Sequence, residues 1–140
     1  MIKDVMIEID SRQKSEGAEP ESIEMVVEGS LETDGDNFIL KYTDNDVETV
    51  LSVENSESGQ IVNLDRTGAD VGRLTIQKNQ RHMSFYQMGP FEFTIGIFGE
   101  KLDCRLDETN GTLDMRYTID INSTFASRNE VSIKVSDMTH

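Results

Sequence analysis

Asn110-Gly111-Thr112-Leu113-Asp114-Met115-Arg116-Tyr117-Thr118-Ile119-Asp120-Ile121 alternates in a strict order. Leu113, Met115, Tyr117, Ile119 and Ile121 fall on one face; Asp114, Arg116, Thr118 and Asp120 fall on the other. Period two is the signature of a half-buried strand, because successive side chains point to opposite sides of a pleated backbone. The same period runs outward in both directions. Upstream, Phe91, Phe93, Ile95 and Ile97 alternate with Glu92, Thr94 and Gly96, and downstream Val131, Ile133 and Val135 do the same. Nearer the amino terminus, Val5, Ile7 and Ile9 predict a strand over about 3 to 12, and Ile23, Met25, Val27 and Leu31 another over about 22 to 33. Phe38, Leu40 and Tyr42, then Thr49, Leu51 and Val53, then Val62 and Leu64, then Leu74 and Ile76 supply shorter ones. No window of about eleven residues holds a 3.6-residue apolar period, so circular dichroism is expected to show sheet with little helix.

Between these segments the punctuation is turn chemistry. Asp34-Gly35 and Asn110-Gly111 read as hairpins of the type I′ kind, and Asp44-Asn45-Asp46, Ser58-Gly59, Lys78-Asn79-Gln80, Gly89-Pro90 and Gly99-Glu100 as further breaks. The longest irregular pieces, Lys14 to Pro20 and Ser123 to Ser127, are too short for crossover helices, so neighbouring strands should be antiparallel. A sheet this wide, with one apolar face, curls or closes to bury that face, and closure also removes exposed edges. The expected fold is all-β: an antiparallel up-and-down barrel of roughly 8 to 10 strands forming a single domain over residues 1–140. Within it Phe93, Tyr117 and Ile119 should be buried, with Ile119→Ala costing roughly 2 to 5 kcal/mol.

At 140 residues and 36% apolar content the chain can build a core without disulfides or metals as staples. Thirteen basic against twenty-seven acidic residues give a net charge of −14, which repels nucleic-acid backbones and anionic membranes; neither is an expected partner. The start, Met1 to Glu8, is broken by charge and shows no secretion signal, and no apolar run is long enough to span a bilayer. Together with the single Cys104 this points to the cytoplasm. Cys104 alternates with Leu102 and Leu106 and reads as a small buried hydrophobe rather than a nucleophile.

From Arg66 onward a run of motifs carries a family likeness: Arg66-Thr67-Gly68, Leu74-Thr75-Ile76, Ser84-Phe85-Tyr86, Gly96-Ile97-Phe98, Leu106-Asp107-Glu108, Asn110-Gly111-Thr112-Leu113, Tyr117 and Asn129-Glu130-Val131-Ser132-Ile133. In these the chain resembles the YwiB-like family of small bacterial proteins. The resemblance covers the carboxy-terminal half well and the amino-terminal half in pattern. It implies a lipocalin-like (calycin-like) antiparallel barrel and implies no activity. The chain departs from the family after the Tyr86 strand, where Met88-Gly89-Pro90-Phe91 stands in place of a Thr-Pro-containing turn.

Few constellations suggest chemistry. His82 and His140 are the only histidines, too few for a His-based metal site. Asp34-Gly35-Asp36 and Asp44-Asn45-Asp46-Val47-Glu48 lack the Gly and Glu of a calcium loop, and no Gly-x-Ser-x-Gly elbow or phosphate loop occurs. The expectation is a protein that is not an enzyme and has no metal or cofactor. Charge distribution is the distinctive feature. Residues 1–65 hold four basic and seventeen acidic residues, whereas 66–81 hold Arg66, Arg73, Lys78 and Arg81 against Asp70 alone. Arg66 and Arg81, set side by side, would suit a bidentate carboxylate or phosphate contact; alternatively they neutralise acidic strand neighbours. Two functions follow. In the first the barrel binds a small hydrophobic or anionic molecule, with Phe93, Ile95, Met115, Tyr117 and Ile119 lining the pocket, Arg66 and Arg81 as donors and Tyr86 as hydroxyl partner. In the second a filled barrel is a protein–protein interaction module, using its acidic outer faces to engage a basic protein or an apolar strip to make a homodimer.

Overall fold

The computed structural model describes residues 2–57, 59–68, 70–107 and 110–138. Ten strands follow the alternating segments: β1 (Ile2–Ser15), β2 (Glu21–Asp34), β3 (Asn37–Asp44), β4 (Val47–Ser56), β5 (Gly59–Gly68), β6 (Asp70–Gln77), β7 (Arg81–Met88), β8 (Phe91–Leu106), β9 (Gly111–Ile121) and β10 (Thr124–Asp137). Each pairs antiparallel with its neighbours in sequence, and β10 returns to β1, closing an up-and-down barrel. No helix occurs among the described residues. His140, and Ser58 of the Ser58-Gly59 turn, lie outside them.

Alternation sets the two faces, and the pairing registers stack the inward residues into rows. Leu31, Leu40, Leu51, Leu64 and Leu74 oppose one another in turn from β2 to β6. All five are buried. Below this leucine row Phe38, Val53, Val62 and Ile76 form a second apolar row, and Ile97, Leu113 and Val135 fill the opposite wall. One half of the barrel is therefore a solid aliphatic plug. The other half ends at the mouth ringed by the β1–β2, β3–β4, β5–β6, β7–β8 and β9–β10 turns, here the upper mouth. Tyr117, Ile95 and Met115 are buried as the alternation predicts; Phe93 and Ile119 face inward but are only half-buried, because both lie nearer that mouth. Ile119→Ala therefore belongs at the low end of its expected cost.

The turns differ from expectation in informative ways. Positive φ at both central residues, the type I′ requirement, occurs at Asn45-Asp46 (49° and 63°) and at Asn122-Ser123 (52° and 68°). The Gly35-Asp36 turn uses positive φ at Gly35 only, and beyond β8 Asp107 N–H donates to Asn110 C=O at 2.9 Å. Gly99-Glu100 is no break at all. The register shifts there by one residue, so β8 continues through a bulge. A Cβ on Gly99 would fall 2.4 Å from the Gln77 carbonyl oxygen, which leaves room for glycine alone. The bulge flips the parity, so that Leu102, Cys104 and Leu106 continue the inward face begun by Phe93, Ile95 and Ile97. Residues 124–127, expected as loop, are the bulged start of β10.

Candidate functional site

One row above the leucines, the inward face changes chemistry. Gly29, Tyr42, Thr49, Arg66, Gly72, Tyr86 and Phe93 oppose one another in order from β2 to β8. Arg66 shares the parity of Val62 and Leu64, so its side chain enters the barrel. Tyr86 stands two strands away, beyond reach of an ordinary cross-strand contact. Gly72 lies between them and has no side chain to block the way: Arg66 Nη1 donates to Tyr86 Oη at 3.2 Å across it. Tyr42 shares a side-chain hydrogen bond with Thr49 and feels the Arg66 charge. From the far wall, buried Tyr117 also lies in the field of Arg66, Tyr42 and Tyr86. All three tyrosines of the chain thus gather about one guanidinium. Buried Ser127 and Asn129 lie beside Tyr117's strand, Asn129 Nδ2 donating to Ser127 Oγ at 3.1 Å.

The setting of Arg66 differs from that of the five arginines that form ion pairs. Arg73 meets Asp65, Arg81 meets Asp120, Arg105 meets Asp103, and Arg116 and Arg128 share Glu100. All are outer-face pairs. Among the described residues Arg66 has no carboxylate within ion-pair distance. Burial works against its charge, but the hydrogen bond with Tyr86 and the fields of Tyr86, Tyr117 and Tyr42 outweigh it and hold its pKa above the ordinary value. Burial likewise pushes the Tyr42 and Tyr117 phenols up, against the pull of Arg66.

The sign of the consequence is fixed. A phenol whose folded pKa is raised contributes stability that is fully present below its unfolded value, near pH 10, and is lost as pH rises through the higher folded value. Alkaline titration of tyrosinate absorbance is expected to show late ionisation at Tyr42 and Tyr117, with one late step removed by Tyr42→Phe and one by Tyr117→Phe. Both phenols ionising near pH 10 in the folded protein would contradict this.

Of the residues singled out in the sequence, Arg66, Tyr86 and Tyr117 come together, and Arg81 does not. Arg81 is exposed on the outer face, where Nε and Nη2 grip the two carboxylate oxygens of Asp120 at 3.0 and 2.7 Å. It sits on the opposite side of the sheet from Tyr86 by strand parity, so it cannot be a second donor beside Arg66. Tyr42, Thr49 and Gly72 were missed. Tyr42 carried a legible signal, since it shares parity with Phe38 and Leu40. His82 is tied to Gln77, Nε2 to Oε1 at 2.9 Å. Cys104 is half-buried and its thiol is pushed up by burial, which suits a packing residue. It lines a 390 Å³ depression at the lower mouth with Phe38, Asn55 and Leu106, away from Arg66.

The sequence matches the family described as "Domain of unknown function (DUF1934)" over residues 7–133. Among curated proteins nothing matches. Among solved structures, the crystal structure of the YwiB protein from Bacillus subtilis superposes with a TM-score of 0.78 at 18% identity, covering 95% of this chain and 92% of that one. At that identity the likeness is one of fold. Because the family match begins at Ile7 in β1 and ends at Ile133 in β10, it reaches all ten strands of the closed sheet, and the chain belongs to the DUF1934 family, with a YwiB-like barrel.

Proposed function

We propose that the protein is a non-enzymatic binding protein for a small anion, held in the upper half of the barrel by Arg66 with Tyr86, Tyr42 and Tyr117 as hydroxyl partners. The observation that carries this is the interior guanidinium ringed by phenols, in a chain whose twenty-seven acids make carboxylate partners plentiful elsewhere. A charge withdrawn from water without a counter-charge is costly, and a bound anion supplies that counter-charge. Arginine carries five N–H donors in a planar fork, and Tyr86 engages one nitrogen. Arg66 is only half-buried, so its side chain keeps some contact with solvent. The net charge of −14 opposes an approaching anion, but this repulsion is screened beyond about 8 Å at physiological salt, whereas the charge-assisted contacts act at close range. The guanidinium binds and orients, and burial pushes the Tyr42 and Tyr117 phenols up, away from service as bases near neutral pH, which favours binding over catalysis.

Thermal-shift measurements with phosphate and acetate test the reading. Wild type is expected to gain melting temperature with anion concentration. Arg66→Ala should weaken binding by about 10- to 100-fold, the worth of hydrogen bonds to a charged group, and Arg66→Lys nearly as much because it loses the fork. Arg81→Ala should bind like wild type. No anion-dependent shift in the wild type would overturn the proposal.

A specific observation also supports the interaction reading. Val71, Met83, Phe85 and Phe98 are exposed on the outer face of β6 to β8, Phe85 at 72%. There the Arg73–Asp65 and Arg81–Asp120 pairs cancel charge, so these pairs add nothing to the repulsion between two copies of a strongly acidic chain. Sedimentation velocity is expected to show a dimer that Phe85→Glu dissociates.

A further inference from the structure

The anion site has a floor, a single cation and an apolar lip, and together these specify a ligand class. The floor is the leucine row: Leu40 and Leu51 are fully buried and Leu64 and Leu74 nearly so, which leaves a ligand no way down into the plug. The cation is Arg66 alone among the described residues of its row, and Asp44, two residues beyond Tyr42 on β3, shares its inward parity one row nearer the upper mouth. A phosphate group, carrying about −1.5 to −2 charges near neutral pH, would leave negative charge uncompensated beside that carboxylate. A carboxylate carries one charge, and its two oxygens match the guanidinium fork.

The lip lies on the inward-facing rows where they reach the upper mouth. Ile23 on β2, Phe91 on β8 and Ile121 on β9 have inward parity, yet are 60%, 64% and 36% exposed. Phe91 stacks on Phe93 with ring centroids 6.5 Å apart, and Phe93 is the cross-strand partner of Tyr86. An apolar track therefore leads from the phenol that touches Arg66 out to the mouth.

We propose that the ligand is a monocarboxylate with an apolar tail, its head on Arg66 and Tyr86 and its tail laid over Phe93 and Phe91 toward the upper mouth. This rests on the anion-site reading above. Polar end inward, apolar end outward is the order set by the floor and the lip.

Isothermal titration calorimetry of the wild type, Arg66→Gln and Phe91→Ser against octanoate, acetate, inorganic phosphate and octanol tests both levels. Octanoate is expected to bind at least about tenfold more tightly than acetate, since each buried methylene adds roughly a factor of four, and more tightly than phosphate or octanol. Phe91→Ser, an exposed position, should weaken octanoate several-fold and leave acetate unchanged; Ile121→Ser provides a second lip variant. Arg66→Gln should weaken octanoate and acetate alike. Phosphate binding as tightly as octanoate, with both lost in Arg66→Gln, would overturn the monocarboxylate inference and leave the anion site standing. Octanol binding as tightly as octanoate, with no response to Arg66→Gln, would overturn both, as would no binding of any probe.

Discussion

Leu51→Ala is expected to lower the unfolding free energy by about 3 to 5 kcal/mol, read as a fall in the urea midpoint at unchanged slope. Leu51 is 0% exposed and sits mid-row between Leu40 and Leu64. A closed sheet cannot collapse inward to refill the space, because each strand is held on both sides by its hydrogen-bond partners. The transfer and cavity costs should then both be felt in full. Domains of this kind are stable by about 5 to 15 kcal/mol, so this one truncation would bring a weakly stable protein close to unfolding. Lys134→Ala, on the outer face, is expected to stay within about 0.5 kcal/mol. A loss below that for Leu51→Ala would mean the leucine row is not the core.

Gly72→Ala should damage stability and binding together. The new methyl group would lie 2.3 Å from Tyr86 Cδ2 and 2.9 Å from Cε2, so the ring must swing away and the 3.2 Å bond from Arg66 is lost. Overpacking of this kind costs about 1 to 3 kcal/mol. With Tyr86 displaced, anion affinity should fall about tenfold, the worth of one hydrogen bond to a charged group. A double-mutant cycle isolates the cause. In a Tyr86→Ala background the same Gly72→Ala change no longer meets the ring, so its extra cost in urea denaturation should largely vanish. An equal cost in both backgrounds would show that Gly72 matters for some reason other than Tyr86.

The family resemblance seen in the motifs after Arg66 and the barrel read from period two agree with the structure and with the DUF1934 match, since both rest on local order. Leu113, Met115 and Tyr117 had to face one way because Asp114 and Arg116 could not be buried, and that argument needs no neighbour. Asn45-Asp46 and Asn122-Ser123 take the positive-φ turns by the same local chemistry, although Asp34-Gly35 and Asn110-Gly111 carry the stronger hairpin signal. Arg66 inside the barrel was also written in its parity with Val62 and Leu64. Its partners were not. Tyr42, Tyr86 and Tyr117 belong to three different strands, and they meet at Arg66 only because successive registers add up around a closed sheet, with Gly72 left bare between Arg66 and Tyr86. Arg81 shows the reverse. Composition placed it with Arg66 in one basic segment, but the register through β7 and β8 turned it outward to Asp120. Alternation belongs to each strand alone and can be read along the chain, whereas the meeting of distant side chains depends on the sum of all the registers, and only barrel closure determines it.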